Sequence, residues 1–295
     1  AYERYWETGG AAVGNDTRSA TKSLTAMAVG LAIADGKLRG LDDRAFAYLG
    51  DLAPFANDSE QKRDIRIGDL LTMTSALDCD DNNDTPGNEE NMYPKQSWAR
   101  FAVDLPLKKD WARDSSGRGP WAYCTAGTFL LGQIVQRATG QTVDRYIEDR
   151  VLKPVGAKAL HWDASPSGEI QTGGGLELTT RDLGKLAWMM TDGGRWKRTQ
   201  VLSAAWVAEM LTVRRDAFAD MHYGYQYWHR VYPTKCGPVD AWFMAGNGGN
   251  HVLSIPSLSA AIVVTRTAYN TRGMHQQTIA ALEKYLIPAL PCAAR

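Results

Sequence analysis

The stretch that most constrains this chain is Leu24-Thr25-Ala26-Met27-Ala28-Val29-Gly30-Leu31-Ala32, an apolar run headed by the hydroxyl-rich cluster Thr17-Arg18-Ser19-Ala20-Thr21-Lys22-Ser23. Leu24, Met27, Ala28 and Leu31 recur at i, i+3, i+4 and i+7, one face of a helix, while small residues fill most other positions. Such a helix is expected to be packed nearly all round, so the rest of the fold must be assembled about it. Its hydroxyl-rich start is an N-terminal signal. Ser19 and Lys22 are three apart and therefore share a face one turn from each other. A hydroxyl beside a lysine at a buried helix start is a nucleophile beside a base. Partial burial disfavours the charged amine and lowers its pKa toward the range a base needs, and the helix N-terminus favours negative charge near Ser19.

Thirteen serines and twelve lysines give about half a Ser-x-x-Lys match by chance, so the pair needs support. A second match, Ser59 and Lys62, lies in Asn57-Asp58-Ser59-Glu60-Gln61-Lys62-Arg63-Asp64. With polar neighbours on all sides it is assigned to the surface.

At 295 residues the chain can bury a large core as one domain or two intertwined ones. Lys plus Arg and Asp plus Glu are 33 each, so no net field recommends nucleic acid or an anionic membrane as partner. A small molecule is the expected partner. No apolar run approaches about twenty residues and Ala1 opens no charged-then-apolar leader, so neither a membrane span nor a signal peptide is expected. Cys79, Cys124, Cys236 and Cys292 are too far apart for a Cys-x-x-Cys site, and both disulfides and buried thiols are open to them. If one bridge exists, Cys236 to Cys292 is our choice. A periplasmic or secreted location is favoured over a cytoplasmic one. Ten Trp and twelve Tyr suit the walls of a cleft as well as a core.

Taken in order, Ala1 to Thr8 reads as a strand ending at Gly9-Gly10. Ile65 to Thr74 reads as a compact helix. Asp78 to Asn91, rich in Asp, Glu and Asn around Pro86 and Gly87, reads as loop. It is either a solvated surface or a rim that attracts cations through oxygen ligands, although EF-hand spacing is absent. Ser97 to Val103 and Gly127 to Val135 read as helices. After Gly173-Gly174-Gly175, a threonine of the Thr179-Thr180 pair caps a helix carrying Leu183, Leu186, Ala187 and Met190, which ends at Gly193-Gly194. A helix over Ala204 to Leu211 precedes strand-like runs at Tyr223 to Val231, Ala241 to Ala245 and Ser259 to Arg266. A last helix covers Met274 to Leu286. Strands at both ends with helices between them imply a sheet built from distant segments around a helical insertion. We divide the chain into 1–45 with 168–295, the sheet part, and 46–167, the helical part, with the site between them.

Two further stretches accompany Ser19. Tyr123-Cys124-Thr125 places a phenol, able to shuttle protons, ahead of an apolar helix. Gly246-Asn247-Gly248-Gly249-Asn250 lies between strand-like runs, where glycines permit close backbone approach and free N–H groups for an oxyanion. Taken in order, Ser19-Ala20-Thr21-Lys22, Tyr123-Cys124-Thr125 and Asn247-Gly248-Gly249 resemble the three active-site elements of the penicillin-recognising serine hydrolases. Ile67 to Ser75, Gly173 to Leu176 with Thr180 to Leu183, and Gly246 to Gly249 followed by Ile255-Pro256 resemble the branch of class C β-lactamases, family VIII esterases and 6-aminohexanoate-dimer hydrolases.

The resemblance implies an α+β, β-lactamase-like fold: an antiparallel sheet flanked by helices, with an inserted, mostly helical subdomain. It also implies a serine hydrolase that cleaves a small ester or amide through an acyl-enzyme, without metal or cofactor. Ser19 is the implied nucleophile, Lys22 the base and Tyr123 the proton relay, with the backbone N–H groups of Ser19 and Asn250 holding the oxyanion. Thr125, Asn247, Gly248 and Gly249 are the implied substrate-binding residues. Asn247 stands where a Lys or His often opens the third element, and Thr125 where an Asn often stands, which disfavours a penicillin-type substrate. Alternatives are β-lactamase or D-alanyl-D-alanine peptidase activity, or a binding or sensor module of the same fold without turnover. Rival chemistries lack their signatures: there is no Gly-x-Ser-x-Gly elbow and no His-Glu-x-x-His pair. His251, after the glycine-rich junction, is the one histidine expected near the cleft.

Overall fold

The computed structural model describes residues 2–6, 9–235 and 237–292. The chain enters through a short strand β1 (Gly14–Asp16), a 3-10 turn (Arg18–Ala20) and helix α1 (Thr21–Ala34). A helical stretch follows: α2 (Glu60–Arg63), α3 (Ile67–Leu71), α4 (Glu89–Met92), α5 (Trp98–Asp104), α6 (Thr125–Thr139), α7 (Val143–Ile147) and α8 (Lys153–Val155). Strands β2 (His161–Trp162) and β3 (Leu176–Thr179) lead to α9 (Thr180–Thr191). A small hairpin, β4 (Arg195–Trp196) with β5 (Thr199–Gln200), precedes α10 (Ala204–Met210). Then come β6 (Arg215–Phe218), β7 (Met221–Tyr223), β8 (Trp228–Tyr232), β9 (Val239–Gly246), β10 (Asn250–Ile255), β11 (Ala260–Val264) and α11 (Met274–Ala281).

Helix α1 occupies the centre, and every residue from Thr21 to Ala32 is buried. Its small residues are what permit this. A Cβ on Gly30 would lie 2.1 Å from Nε1 of Trp206, whose indole N–H donates to the Ala26 carbonyl at 3.2 Å. One face of α1 packs on α6 and another meets β9, so the helix joins the helical stretch to the sheet.

The main sheet is six-stranded and antiparallel, in the order β11-β10-β9-β8-β7-β6. Phe243 is paired with Leu253 on one side and Trp228 on the other, which fixes the register at its centre. The fold is α+β, as the sequence implied, but the sheet is assembled differently from our expectation. All six strands are successive segments from Arg215 to Val264. Long-range pairing belongs instead to a separate three-stranded sheet, β1-β3-β2, in which Gly14 faces Thr179. The expected N-terminal strand is not formed over Tyr2–Trp6, where side-chain contacts such as Arg181 to Glu3 at 2.8 Å replace a ladder; Ala1, Glu7 and Thr8 lie outside the described residues. Strand β10 was not read as a strand because all six of its residues are buried, leaving no alternation to detect.

Helix boundaries follow local chemistry. The Thr179 hydroxyl accepts the Asp182 N–H at 3.1 Å and Ser97 caps α5 in the same way. The helix expected over Ile65 to Thr74 shortens to α3, because Met73 takes a left-handed φ of 59°.

A disulfide joins Cys79 to Cys124, and the expected Cys236–Cys292 pairing involves Cys236, which lies outside the described residues. A further expectation needs correction. Lys62 is not at the surface but fully buried, its ammonium donating to the Ala56 carbonyl at 3.0 Å and lying 5.5 Å from the Phe46 ring centroid. Burial lowers its pKa to about 8. The Ser59 hydroxyl accepts the backbone N–H of Lys62 at 3.1 Å as a helix cap, so this second Ser-x-x-Lys pair forms no side-chain couple.

Candidate active site

Ser19 sits at the mouth of α1 on a turn anchored from both sides. The Thr17 backbone N–H and hydroxyl both donate to the Leu176 carbonyl, at 3.0 and 2.7 Å, fixing the turn to β3. Arg18 takes a left-handed φ of 49°, a conformation costing about 1 kcal/mol or more for a non-glycine residue. It is held there by Asp16, which accepts its backbone N–H at 2.9 Å and pairs with its guanidinium at 2.7 Å. Ser19 is thereby presented half-exposed above the buried Lys22.

The Lys22 nitrogen has three neighbours within hydrogen-bond reach: Ser19 Oγ at 3.0 Å, Thr125 Oγ1 at 2.8 Å and the Gly173 carbonyl at 2.6 Å. An ammonium would donate to all three. A neutral amine would donate to two and accept the Ser19 hydroxyl proton with its lone pair, which is the arrangement of a general base. Burial drives the Lys22 pKa below the ordinary lysine value, opposed by the charges of Glu89 and Asp81.

Tyr123 completes the group around Ser19. Its ring centroid is 5.0 Å from the Lys22 nitrogen, and the ring stacks on Trp228 at 5.6 Å. Burial raises the phenol well above its ordinary value, against a lowering by its hydrogen bond with Ser19. The two titratable neighbours of Ser19 are thus displaced in opposite directions: the amine toward neutrality, the phenol toward staying protonated.

The other expected residues are placed less directly. Thr125 is fully buried, and its hydroxyl accepts a hydrogen bond from the Lys22 nitrogen at 2.8 Å. Asn247 is tied to Asn270 by two hydrogen bonds, at 2.7 and 2.8 Å. Gly248 and Gly249 are buried with φ values of 97° and 85°, against Tyr269 and the Met274 carbonyl, and shape the hairpin between β9 and β10. Asn250 is buried with its side chain bridging the hairpin: its amide donates to Asp16 O and Asn247 O and accepts from the Arg266 N–H. The backbone that meets the Ser19 turn is that of Gly246, where a Cβ would lie 2.1 Å from Thr17 O and 3.3 Å from Ala20 N. His251 does not line a cleft; it is fully buried, stacked on Phe243 at 5.0 Å and hydrogen-bonded to His275 at 3.1 Å.

Three contributors escaped the sequence reading. Gly173 supplies an acceptor for Lys22, whereas its glycine run suggested only packing. Gly246, inside the quoted glycine-rich stretch, lets β9 reach the nucleophile turn. Asp81 belongs to the acidic loop expected to be loop, and it is loop, yet its carboxylate accepts the Thr125 N–H at 2.7 Å and its own N–H donates to the Tyr123 carbonyl at 2.8 Å.

Among the described residues, no group of three or more His, Cys, Asp or Glu is arranged to hold a metal ion, and no helix is long and apolar enough to cross a membrane. A family model described as Beta-lactamase matches residues 9–285. The 6-aminohexanoate-dimer hydrolase of Paenarthrobacter ureafaciens is 27% identical over 248 residues, covering 80% of this chain and 59% of that protein. Penicillin-binding protein 4 of Amycolatopsis lactamdurans is 31% identical over 220 residues, covering 65% of this chain and 55% of that protein. The chain therefore spans less than two thirds of the length of either relative. Among solved structures, a Bacillus anthracis protein provisionally named as a 6-aminohexanoate-dimer hydrolase superposes with a TM-score of 0.76 at 16% identity, covering 97% of this chain and 76% of that one.

Proposed function

This chain belongs to the beta-lactamase family, and on that premise we propose that it is a serine hydrolase that cleaves a small ester or amide through an acyl-enzyme on Ser19. The carrying observation is the 3.0 Å contact between the buried Lys22 nitrogen and Ser19 Oγ. In the neutral state Lys22 takes the Ser19 proton as Oγ attacks the carbonyl carbon. The oxyanion is received by backbone N–H groups, each worth roughly 2.7 to 4 kcal/mol in the transition state. Ser19 supplies one. We place the second at Asn247, in preference to Asn250, because it directly follows Gly246, whose backbone lies against Thr17 and Ala20 of the turn. Tyr123, held protonated, gives its proton to the departing oxygen or nitrogen, and its phenolate then takes a proton from water to release the acyl group. Thr125 and Gly173 hold the Lys22 nitrogen in place.

Neutral Asn247, bound to Asn270, favours an ester or amide over a penicillin-type substrate whose carboxylate would seek a cation there. On a division into 1–45 with 168–295 and 46–167, the site would lie between the two parts. The Cys79–Cys124 bridge suits an oxidising compartment, periplasmic or extracellular. The test is Ser19→Ala, which should abolish both turnover and labelling by a serine-directed phosphonate; labelling that survives the substitution refutes the proposal. A second reading, a binding module without turnover, draws on the three acceptors around Lys22, which also match a permanently charged ammonium. Stoichiometric acylation without release would favour it.

A further inference from the structure

Two histidines stand side by side on the main sheet, away from Ser19. His222 of β7 is the register partner of Asp216 in β6 and of His229 in β8, and His229 is the partner of Trp242 in β9. Directly opposed residues share a face of the sheet, so these side chains form one row. The next pair along β7 and β8, Tyr223 with Trp228, points to the opposite face. There Tyr223 lies 6.2 Å from Tyr123 and Trp228 stacks on it at 5.6 Å.

Each histidine is backed by an aspartate. His222 Nδ1 lies 2.8 Å from Asp216 Oδ1, and His229 Nε2 lies 2.7 Å from Asp240 Oδ1. In a neutral imidazole the nitrogen that faces a carboxylate carries the proton, and the other keeps a lone pair. The lone pairs therefore fall on Nε2 of His222 and Nδ1 of His229. Nδ1 of His229 is buried without a hydrogen-bond partner among the described residues, in a side chain only 7% exposed. Natural proteins rarely leave such an atom unused. The two ring centroids are 5.6 Å apart. Two imidazoles bound to one tetrahedral zinc at about 2.1 Å hold their centroids at about 5 Å, close to this spacing. A carboxylate on the far nitrogen is also what fixes the tautomer and ring orientation of a zinc-bound histidine. Access comes from the His222 side chain, which is 32% exposed, and from a cleft of about 380 Å³ that opens against His229, Asp240 and Trp242.

We propose that His222 and His229 bind a divalent transition-metal ion of the zinc type, with water completing its coordination. Imidazole nitrogen selects zinc over magnesium or calcium, which prefer oxygen. The ion ties β7 to β8, the two strands whose opposite face forms the wall behind Tyr123, and it takes no part in the chemistry at Ser19.

The experiment uses tag-free protein, stripped with EDTA, dialysed and titrated with zinc chloride in a calorimeter. One zinc per chain should bind. A hundredfold excess over Kd should raise Tm by roughly 5 °C, and magnesium should do nothing. His222→Ala changes a partly exposed position, so the variant should fold, and it should lose the zinc-dependent rise in Tm. Asp216→Asn and Asp240→Asn keep both ligands and should weaken zinc by about 10–100-fold. His161→Ala removes an exposed histidine paired with Asp163 alone and should bind as wild type does. His275→Ala breaks the other close histidine pair, His251 with His275, and should also leave the affinity unchanged. Zinc binding that survives His222→Ala, or that is lost in His275→Ala while His222→Ala retains it, overturns the site. So does a wild-type protein that takes up no zinc.

Discussion

The carboxylate of Asp81 accepts the backbone N–H of Thr125 at 2.7 Å, while the backbone N–H of Asp81 donates to the carbonyl of Tyr123 at 2.8 Å. The Cys79–Cys124 bridge holds the residue between them. One loop therefore grips all three residues of Tyr123-Cys124-Thr125, and through Thr125 it reaches the nitrogen of Lys22. Burial pushes the Asp81 pKa up to about 6, aided by Glu89 and opposed by Lys22 and Thr125. The loop fixes geometry and places negative charge near the proposed base.

Asp81→Asn separates these two effects. An amide oxygen keeps an acceptor for the Thr125 N–H, but the charge that raises the Lys22 pKa is gone. Lys22 then loses its proton at lower pH, so the acid limb of kcat/KM for acylation should move down. The wild-type carboxylate is itself neutral below about pH 6, so the two profiles should diverge above that pH and converge below it. Because its folded pKa is raised, Asp81 contributes stability at low pH that is lost as pH rises from its unfolded value near ~4 through about 6. The Asn variant should lack that loss in urea titrations. Asp81→Ala, by leaving a buried N–H unpaired, should cost about 1–3 kcal/mol at every pH. Superimposable pH–rate profiles for wild type and Asn would remove the electrostatic role.

Gly246→Ala tests the contact between β9 and the nucleophile turn. The new methyl would have to occupy space 2.1 Å from the Thr17 carbonyl oxygen, a backbone atom that cannot swing aside. Either β9 or the Ser19 turn must move, and a donor displaced by about 1 Å loses on the order of 100-fold in rate. Gly40→Ala, which meets no atom within 4 Å, should leave activity unchanged. Wild-type kcat in Gly246→Ala would show that the oxyanion donors lie elsewhere.

What could be read from the sequence and what could not divides along contact range. The pairing of Ser19 with Lys22, the burial of α1 and the Thr179 cap depend on residues within two turns, and local spacing reveals them. Lys62 was misplaced because its burial comes from Phe46, sixteen residues back, while its immediate neighbours are charged. Composition likewise describes the Asp81 loop only as a whole, and long-range contacts with Tyr123 and Thr125 select one carboxylate from it. The Cys79–Cys124 pairing depends on α6 beginning beside the acidic loop, a long-range contact that cysteine spacing alone does not reveal. Strand β10 was overlooked because burial on both faces erases the period-two pattern.

Removing the Cys79–Cys124 bridge should loosen the Tyr123 element before it unfolds the protein. The bridge closes a loop of 45 residues, for which the chain-entropy relation gives about 4 kcal/mol, with about 2–4 kcal/mol typical in practice. In Cys79→Ala/Cys124→Ala, Asp81 still contacts the element, so a folded protein with a lowered Tm and a reduced kcat is expected. Calorimetry and turnover measured on one preparation would check this, and loss of stability with kcat intact would show that the bridge acts on the fold alone.

The buried histidine pair should make the protein sensitive to acid. Burial lowers the His251 pKa to about 3, reinforced by His275, Arg230 and Arg266, and burial also lowers His275. In the unfolded chain a histidine takes its proton near ~6.5. Between these values the unfolded state binds more protons than the folded one, so stability present above about pH 6.5 is lost as pH falls toward 3. The loss is about 1.4 kcal/mol per pH unit for His251, or roughly 2 kcal/mol by pH 5. His251→Phe keeps a flat ring to stack on Phe243, which His251 now meets at an interplanar angle of 11°, and removes the titration. Urea midpoints between pH 7 and 4 should therefore fall less steeply in the variant, with His275 accounting for part of the slope that remains. An unchanged slope would mean that His251 opens to solvent before it protonates.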